Sequence, residues 1–110
     1  MSMVEKYEFL KYEGSMNDRL KFILSLTNKT EIEIYLKESA NRSYDDLQML
    51  VFLSKSTKNQ KNLMEIFKTD SFPVYQRADA IKAWLQIQTD EKQIHQFIIE
   101  IIKDLNIPRL

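Results

Sequence analysis

Residues 44–69 read YDDLQMLVFLSKSTKNQKNLMEIFKT. Within this stretch Leu47, Leu50 and Leu53 recur every three residues, and Leu63 follows the last of them by ten. Spacings of three and four place apolar side chains on one face of a helix. Because a polar segment separates the triplet from Leu63, the stretch predicts two consecutive amphipathic helices joined by a short connection.

The same apolar spacing recurs on both sides of this stretch. A triplet precedes it and another follows it, each with an apolar anchor ten residues later, namely Leu20, Ile23, Leu26 and Leu36 before it and Ala78, Ile81, Trp84 and Ile94 after it. Recurrence of one spacing of apolar residues along a chain indicates degenerate helical repeats. Chance agreement between independent amphipathic helices is the alternative.

Composition and cap residues favour helices along the whole chain. One glycine and two prolines occur in 110 residues, and interior glycine and proline are the residues that helices tolerate least. Helix starts are indicated by side chains that can cap a first turn, at Ser15, Thr30, Ser43, Thr57 and Asp90, and by Pro73. Gly14 is predicted to end the first helix, because glycine is common just after the last residue of a helix. We predict seven helices, at about 4–12, 16–26, 31–40, 44–55, 58–69, 73–87 and 91–105.

These helices are predicted to form one all-α domain over residues 1–110. Short connections favour antiparallel neighbours, so we expect an N-terminal capping helix within residues 4–14, followed by three helical hairpins at 16–40, 44–69 and 73–105. Two arrangements of the hairpins remain open. They either stack as a small right-handed solenoid or pack as a compact bundle.

Residues 70–81 read DSFPVYQRADAI and open the last predicted hairpin. An acidic residue and a proline, followed by an arginine and small residues, resemble the start of a HEAT or armadillo repeat over about residues 70–105. The earlier hairpins keep the apolar phase but lack the proline, the arginine and the alanines. The resemblance implies a curved helical stack used for recognition, and it implies no particular ligand.

Composition excludes several chemical classes. Without cysteine, the chain has no disulfide or thiolate metal site, and one histidine, His95, is too few for a typical zinc site. A single glycine excludes a glycine-rich phosphate loop. No apolar run approaches the ~20 residues of a membrane span. We therefore expect a soluble, cytoplasmic protein that is not an enzyme and has no metal and no cofactor.

Adjacent acids at the start of the fourth predicted helix are the remaining chemical candidates. Asp45 and Asp46 suggest Mg²⁺ binding or acid–base chemistry. However, adjacent helical residues point about 100° apart, and carboxylates at a helix start are explained by capping and by the helix dipole. We interpret the pair as structural.

The surface predicted for the second helix of each hairpin is the main functional candidate. Opposite the apolar anchors, the first hairpin is acidic and the other two carry a lysine stripe, so stacking would create an acidic-to-basic surface. The candidate partner-binding residues are Glu38, Lys58, Lys61, Lys68, Lys92, Gln96, Ile99 and Lys103. An ordinary solvated face is the alternative explanation.

The last predicted helix is apolar almost all round, with Phe97, Ile98, Ile99, Ile101, Ile102 and Leu105. A terminal repeat normally needs a polar outer face. We expect this helix to be covered by the N-terminal helix, by a second copy of the chain in a homodimer, or by another protein.

Two functional hypotheses follow from these patterns. The first is a non-enzymatic protein-binding module, such as a small inhibitor, an immunity protein or an adaptor, that binds its partner through a helical face. The second is nucleic-acid binding through the lysine stripe of the last two hairpins. Equal numbers of acidic and basic residues, sixteen of each, make the second hypothesis the weaker one.

Overall fold

Seven α-helices make up most of residues 2–104, the part of the chain that the computed structural model describes, apart from the side chain of Asp104. They are α1 (Met3–Glu13), α2 (Met16–Ser25), α3 (Thr30–Ser39), α4 (Tyr44–Ser56), α5 (Gln60–Lys68), α6 (Val74–Ile87) and α7 (Glu91–Asp104). No strand occurs in this range, so the predicted all-helical fold is confirmed. Leu105 and the predicted end of the last helix at residue 105 lie outside the described residues.

The largest shift in a helix boundary occurs at the start of α5, which begins two residues later than predicted. Thr57 does not cap this helix, because its hydroxyl donates to the carbonyl of Leu53 at 2.9 Å. The backbone instead turns through Lys58, whose φ is 55°. Asn59 is the cap, and its side chain accepts a hydrogen bond from the N–H of Asn62 at 3.0 Å.

Helix α4 lies at the centre of the fold and packs against α2, α3, α5 and α6. Seven of its residues are buried, namely Asp46, Leu47, Met49, Leu50, Val51, Leu53 and Ser54. A single apolar cluster extends through them, from Tyr7 on α1 to Phe97 on α7. The predicted triplet on this helix is therefore confirmed as core, although the buried face is wider than the triplet.

The helices pair differently from the predicted hairpins. The most extensive contacts join α5 with α6 and α3 with α4, and α1 packs against α2. The predicted hairpins instead group α2 with α3, α4 with α5 and α6 with α7. Of these, α4 contacts α5 as extensively as α1 contacts α2, and α6 meets α7 through the rings of Trp84 and Phe97, whose centroids lie 4.8 Å apart. The difference arises because every connection is short, so connection length favours both possible pairings of a helix equally.

The described chain is elongated, with principal extents of 56, 27 and 19 Å. Its radius of gyration is 15.7 Å, compared with about 13 Å for a compact chain of this length. Alternate helices also contact one another, in the pairs α1–α3, α2–α4 and α4–α6. Every extensive contact between helices in the described residues thus joins helices that are one or two places apart in the chain.

The buried face of α6 is rotated from the predicted one. Ala78, predicted as core, is exposed, whereas Ala80 and Ala83 are buried beside Trp84. The rotation occurs because α6 packs against both α4 and α5, and a small side chain lets helix backbones approach closely. Arg77 adds a polar contact, since its Nε donates to the carbonyl of Phe67 at 2.8 Å.

Matched substitutions on α6 test this assignment. We expect Ala80→Leu to lower the free energy of unfolding by about 1–3 kcal/mol, because overpacking forces side chains and backbone to shift. The same change at exposed Ala78 is expected to alter it by about 0.5 kcal/mol or less. Urea unfolding of both variants measures the difference, and equal effects would contradict the rotated face.

Candidate functional site

The predicted partner-binding residues are almost all accessible. Ile99 is half-buried, and the other seven are exposed: Glu38 on α3, Lys58 before α5, Lys61 and Lys68 on α5, and Lys92, Gln96 and Lys103 on α7. Exposure alone does not make a site. Three of the eight, Lys61, Lys68 and Gln96, differ from the rest because they line a groove in the surface.

An open groove of about 500 Å³ lies between α5 and α7. Its floor is formed by Met64, Trp84 and Phe97, and its rim by Gln60, Lys61 and Lys68 of α5 and by Gln93, Gln96 and Glu100 of α7. The Nζ of Lys68 lies 3.9 Å from the Oε2 of Glu100, across the groove. The structure therefore brings Lys61, Lys68 and Gln96 together.

A smaller depression of about 190 Å³ lies on the other side of α5, between α3, α4 and α5. Its apolar wall consists of Ala40, Leu50, Ile66 and Phe72, and its polar lining of Lys37, Asn41, Asn62, Glu65 and Thr69. Asn62 is buried and held in place, because its Nδ2 donates to the Oε1 of Glu33 at 3.0 Å. The smaller depression therefore combines an apolar wall with a polar side chain, Asn62, that is held in place by a hydrogen bond.

A third depression, of about 580 Å³, lies along α5 and joins the other two. It is lined by Lys61, Met64, Glu65, Lys68 and Thr69, so it shares two residues with the smaller depression and three with the groove. We call the residues that line the three depressions the α3–α5–α7 surface. Glu38, Lys58, Lys92, Ile99 and Lys103 do not line it.

Sequence reasoning missed the floor of the groove. Trp84 and Phe97 were interpreted as core, and both are indeed largely buried, with ring centroids 4.8 Å apart. Their remaining exposed edges nevertheless line the groove. The apolar pattern carries no signal for this second role, because the role depends on how far α7 stands from α5.

Charges alternate in sign along the α3–α5–α7 surface. Lys37 pairs with Glu33 at 3.5 Å, and Lys68 pairs with Glu100. Lys61 and Glu65 make no ion pair within 4 Å among residues 2–104. The centre of the surface thus presents one lysine and one glutamate whose charges are not neutralised by a neighbouring side chain in the described part of the chain.

A buried polar cluster lies elsewhere, where α1, α3 and α4 meet. The carboxylate of Asp46 accepts hydrogen bonds from the hydroxyl of Tyr7 at 2.6 Å, from the Nζ of Lys11 at 2.6 Å and from the hydroxyl of Ser39. Lys11 also donates to the hydroxyl of Tyr35 at 3.1 Å. We call Tyr7, Lys11, Ser39 and Asp46 the Asp46 cluster.

The Asp46 cluster holds its groups in their ordinary charge states. Burial alone would raise the pKa of Asp46, but hydrogen bonds from Lys11, Ser39 and Tyr7 outweigh burial and lower it. Burial opposes the charge of Lys11, and hydrogen bonds with Asp46 and Tyr35 nevertheless raise its pKa. Burial, followed by the bond to Asp46, raises the pKa of Tyr7. Each of the three pKa shifts favours the protonation state in which the group takes part in the hydrogen bonds of the cluster.

The geometry of the cluster supports the structural interpretation of the adjacent acids. Asp46 is fully buried and both its oxygens accept hydrogen bonds, so its carboxylate has no access to a substrate. Asp45 is exposed and its Oδ2 lies 3.6 Å from a terminal nitrogen of Arg19. Ser43 caps α4 as predicted, but Asp46 bonds to α1 and α3 instead of reaching back to the cap.

Other predicted features have clear positions. His95 is exposed on α7. In residues 2–104 no group of three or more histidine, aspartate or glutamate side chains is arranged to hold a metal ion. Within the same residues, none of the helices combines the length and the apolar character needed to cross a membrane.

The apolar last helix is only partly covered. Phe97 is buried, but Ile98 and Ile102, one turn apart, are 47% and 41% exposed. The expectation that the N-terminal helix covers α7 is wrong, because α1 packs against α2 and α3. Cover by a second copy or by another protein stays a prediction.

Comparisons of the chain with family models, with curated proteins and with solved structures find no match.

Substitution of Asp46 tests the role of the buried cluster. We expect Asp46→Asn to lower the free energy of unfolding by about 3 kcal/mol, because Lys11 loses the partner of its charge in a partly buried position. Asp45→Asn is the matched control, and it should cost about 1 kcal/mol or less because Asp45 is exposed. Urea unfolding at neutral pH measures both, and equal costs would contradict the assigned role.

The cluster also predicts how stability depends on pH. Because the pKa of Asp46 is lower in the folded chain than the ~3.9 of an unfolded aspartate, its contribution is present above the unfolded pKa and is lost as pH falls through the folded pKa. The difference in unfolding free energy between the wild type and Asp46→Asn should therefore shrink on acidification below about pH 4. A difference that stays constant from pH 7 to pH 2 would show that Asp46 does not titrate in this way.

Proposed function

We propose that the chain is a non-enzymatic protein-binding module that holds its partner on the α3–α5–α7 surface. The observation that carries this proposal is the continuity of three depressions across α5, with Lys61 and Glu65 between them. A continuous surface of this kind suits a protein segment, since its side chains can fill depressions while its polar groups meet the rim. Small inhibitors, immunity proteins and adaptors are the classes that act in this way.

The sizes of the depressions favour side chains over a small molecule. Pockets for small ligands usually have volumes of about 300–1,000 Å³ and enclose most of the ligand. The smaller depression, at about 190 Å³, is below that range. The groove and the third depression, at about 500 and 580 Å³, lie within it, but both are open to solvent and do not enclose a ligand. Both are better suited to side chains that a larger partner presents from outside.

The side chains that line the α3–α5–α7 surface are less suitable for binding nucleic acid than for binding protein. Base stacking requires an exposed aromatic face, whereas Trp84 and Phe97 are only 7% and 6% exposed. Glu65 and Glu100 also line the surface, and their carboxylates would repel phosphates. Nucleic-acid binding through the lysine stripe is therefore the second candidate function. It predicts an affinity for oligonucleotides that falls steeply as salt rises.

A HEAT-like stack is the arrangement that we propose for the helices. Contacts between alternate helices and the elongated shape support it, as does the pairing of α1 with α2, α3 with α4 and α5 with α6. In such an array each helical pair contacts mainly its neighbours. The repeat unit proposed here is therefore offset by one helix from the unit that the apolar phase suggests.

Affinity capture with matched variants tests the proposed function. The surface variant is Lys61→Glu with Gln96→Glu, and the control is Lys82→Glu with Gln86→Glu on α6, which makes the same changes at exposed positions outside the surface. We expect the wild type and the control to recover the same protein from the native source, and the surface variant to recover at least about tenfold less, because a reversed or added charge that the partner covers is left buried and unpaired. Circular dichroism should show equal helicity for all three.

Other results would contradict the proposal. Equal recovery by both variants would exclude the α3–α5–α7 surface. Binding of a labelled oligonucleotide at low salt, with an affinity that falls steeply as salt rises and is lost in the surface variant, would favour nucleic acid instead.

A further inference from the structure

The arrangement of charges around α5 indicates the chemistry of the partner, provided that the proposed function is correct. Lys61 and Lys68 line the groove on the α7 side of α5, while Glu65 lines the smaller depression on the other side. A segment that occupies both depressions must cross α5. It therefore passes two lysines on one side of the helix and a glutamate on the other.

The lysines are available to a partner carboxylate. Lys61 makes no ion pair among residues 2–104. Lys68 is paired with Glu100 at 3.9 Å, close to the limit for an ion pair, and both side chains are about half exposed. Exposed pairs of this type contribute little to stability, so a carboxylate from the partner can replace Glu100 beside Lys68 at little cost.

The groove also has a place for an apolar side chain. Met64 is half-buried, and it lies with the edges of Trp84 and Phe97 at the floor between the two rims. The rims carry the neutral amides of Gln60, Gln93 and Gln96, which can both donate and accept hydrogen bonds. Apolar contact at the centre with polar contact at the rim is the usual arrangement of a protein interface.

We propose that the partner binds through an acidic peptide segment with an apolar anchor. Its carboxylate lies over Lys61 and Lys68, its apolar side chain contacts Met64 beside Trp84 and Phe97, and the segment then crosses α5 toward Glu65. A basic side chain at the far end of the segment complements Glu65. Electrostatic complementarity of this kind sets the orientation and the register of a bound segment.

Selection from a phage-displayed library of random 12-residue peptides, with the full chain immobilised, tests this proposal. We expect selected peptides to be enriched in aspartate or glutamate next to a large apolar residue. A synthetic peptide with the selected sequence should bind Lys61→Glu at least about tenfold more weakly than the wild type, and Lys82→Glu as well as the wild type. Replacing the acidic residue of the peptide by lysine should restore its binding to Lys61→Glu.

The outcomes separate this proposal from the proposed function. Selected peptides that are lost in Lys61→Glu but lack acidic enrichment would overturn the acidic segment and leave the binding surface in place. Selected peptides that bind Lys61→Glu unchanged would overturn the acidic segment on this surface. If affinity capture also shows no effect of the surface variant, the proposed function itself fails.

Discussion

Burial of one broad face of α4 constrains the rest of the structure. This helix packs against four others, and its apolar residues leave little room for substitution. One of its buried side chains is a carboxylate, Asp46, and a buried charge is tolerated only when it is paired and hydrogen-bonded. The fold must therefore bring a cation and hydroxyl groups to the first turn of α4. Tyr7, Lys11 and Ser39 meet that requirement.

The same requirement explains how α1 is held. Tyr7 is its only fully buried residue, and Val4 also packs against the core, so the apolar contact of this helix comes from few side chains. Tyr7 and Lys11 are four residues apart and therefore share a helical face, and both bond to Asp46. The edge-to-face contact of Tyr7 with Tyr35, at a centroid distance of 5.7 Å, adds a contact to α3. The position of α1 thus combines apolar contact through Tyr7 with polar bonds to α3 and α4.

Much of this fold could be predicted because helices depend on local signals. Cap residues and apolar spacing lie within a few positions of each other, and they placed all seven helices within two residues of their observed bounds. Which helices pair depends on which of their faces meet, and the short connections on both sides of a helix allow it to pair with either neighbour. Ala78 and Ala80 show the limit, since both fit a helical apolar pattern and only the packing of α6 against two helices decides between them. The exposure of Lys61, Lys68 and Gln96 could be predicted by contrast, because a face opposite the core is exposed in almost any arrangement.

The candidate surface exists because helices around α5 do not pack closely against it on two sides. α5 buries Asn62, Leu63 and Ile66 toward α4 and α6, which uses only one face of a nine-residue helix. α7 is held largely through Phe97, whose ring contacts Phe67 at 5.6 Å and Trp84 at 4.8 Å, so the two backbones stay apart and the groove remains between them. On the other side Phe72 and Leu50 fill only part of the space between α3 and α5. Because core residues hold these gaps open, we expect a reversed charge at Lys61 or an added charge at Gln96 to change the electrostatics of the surface without changing its shape.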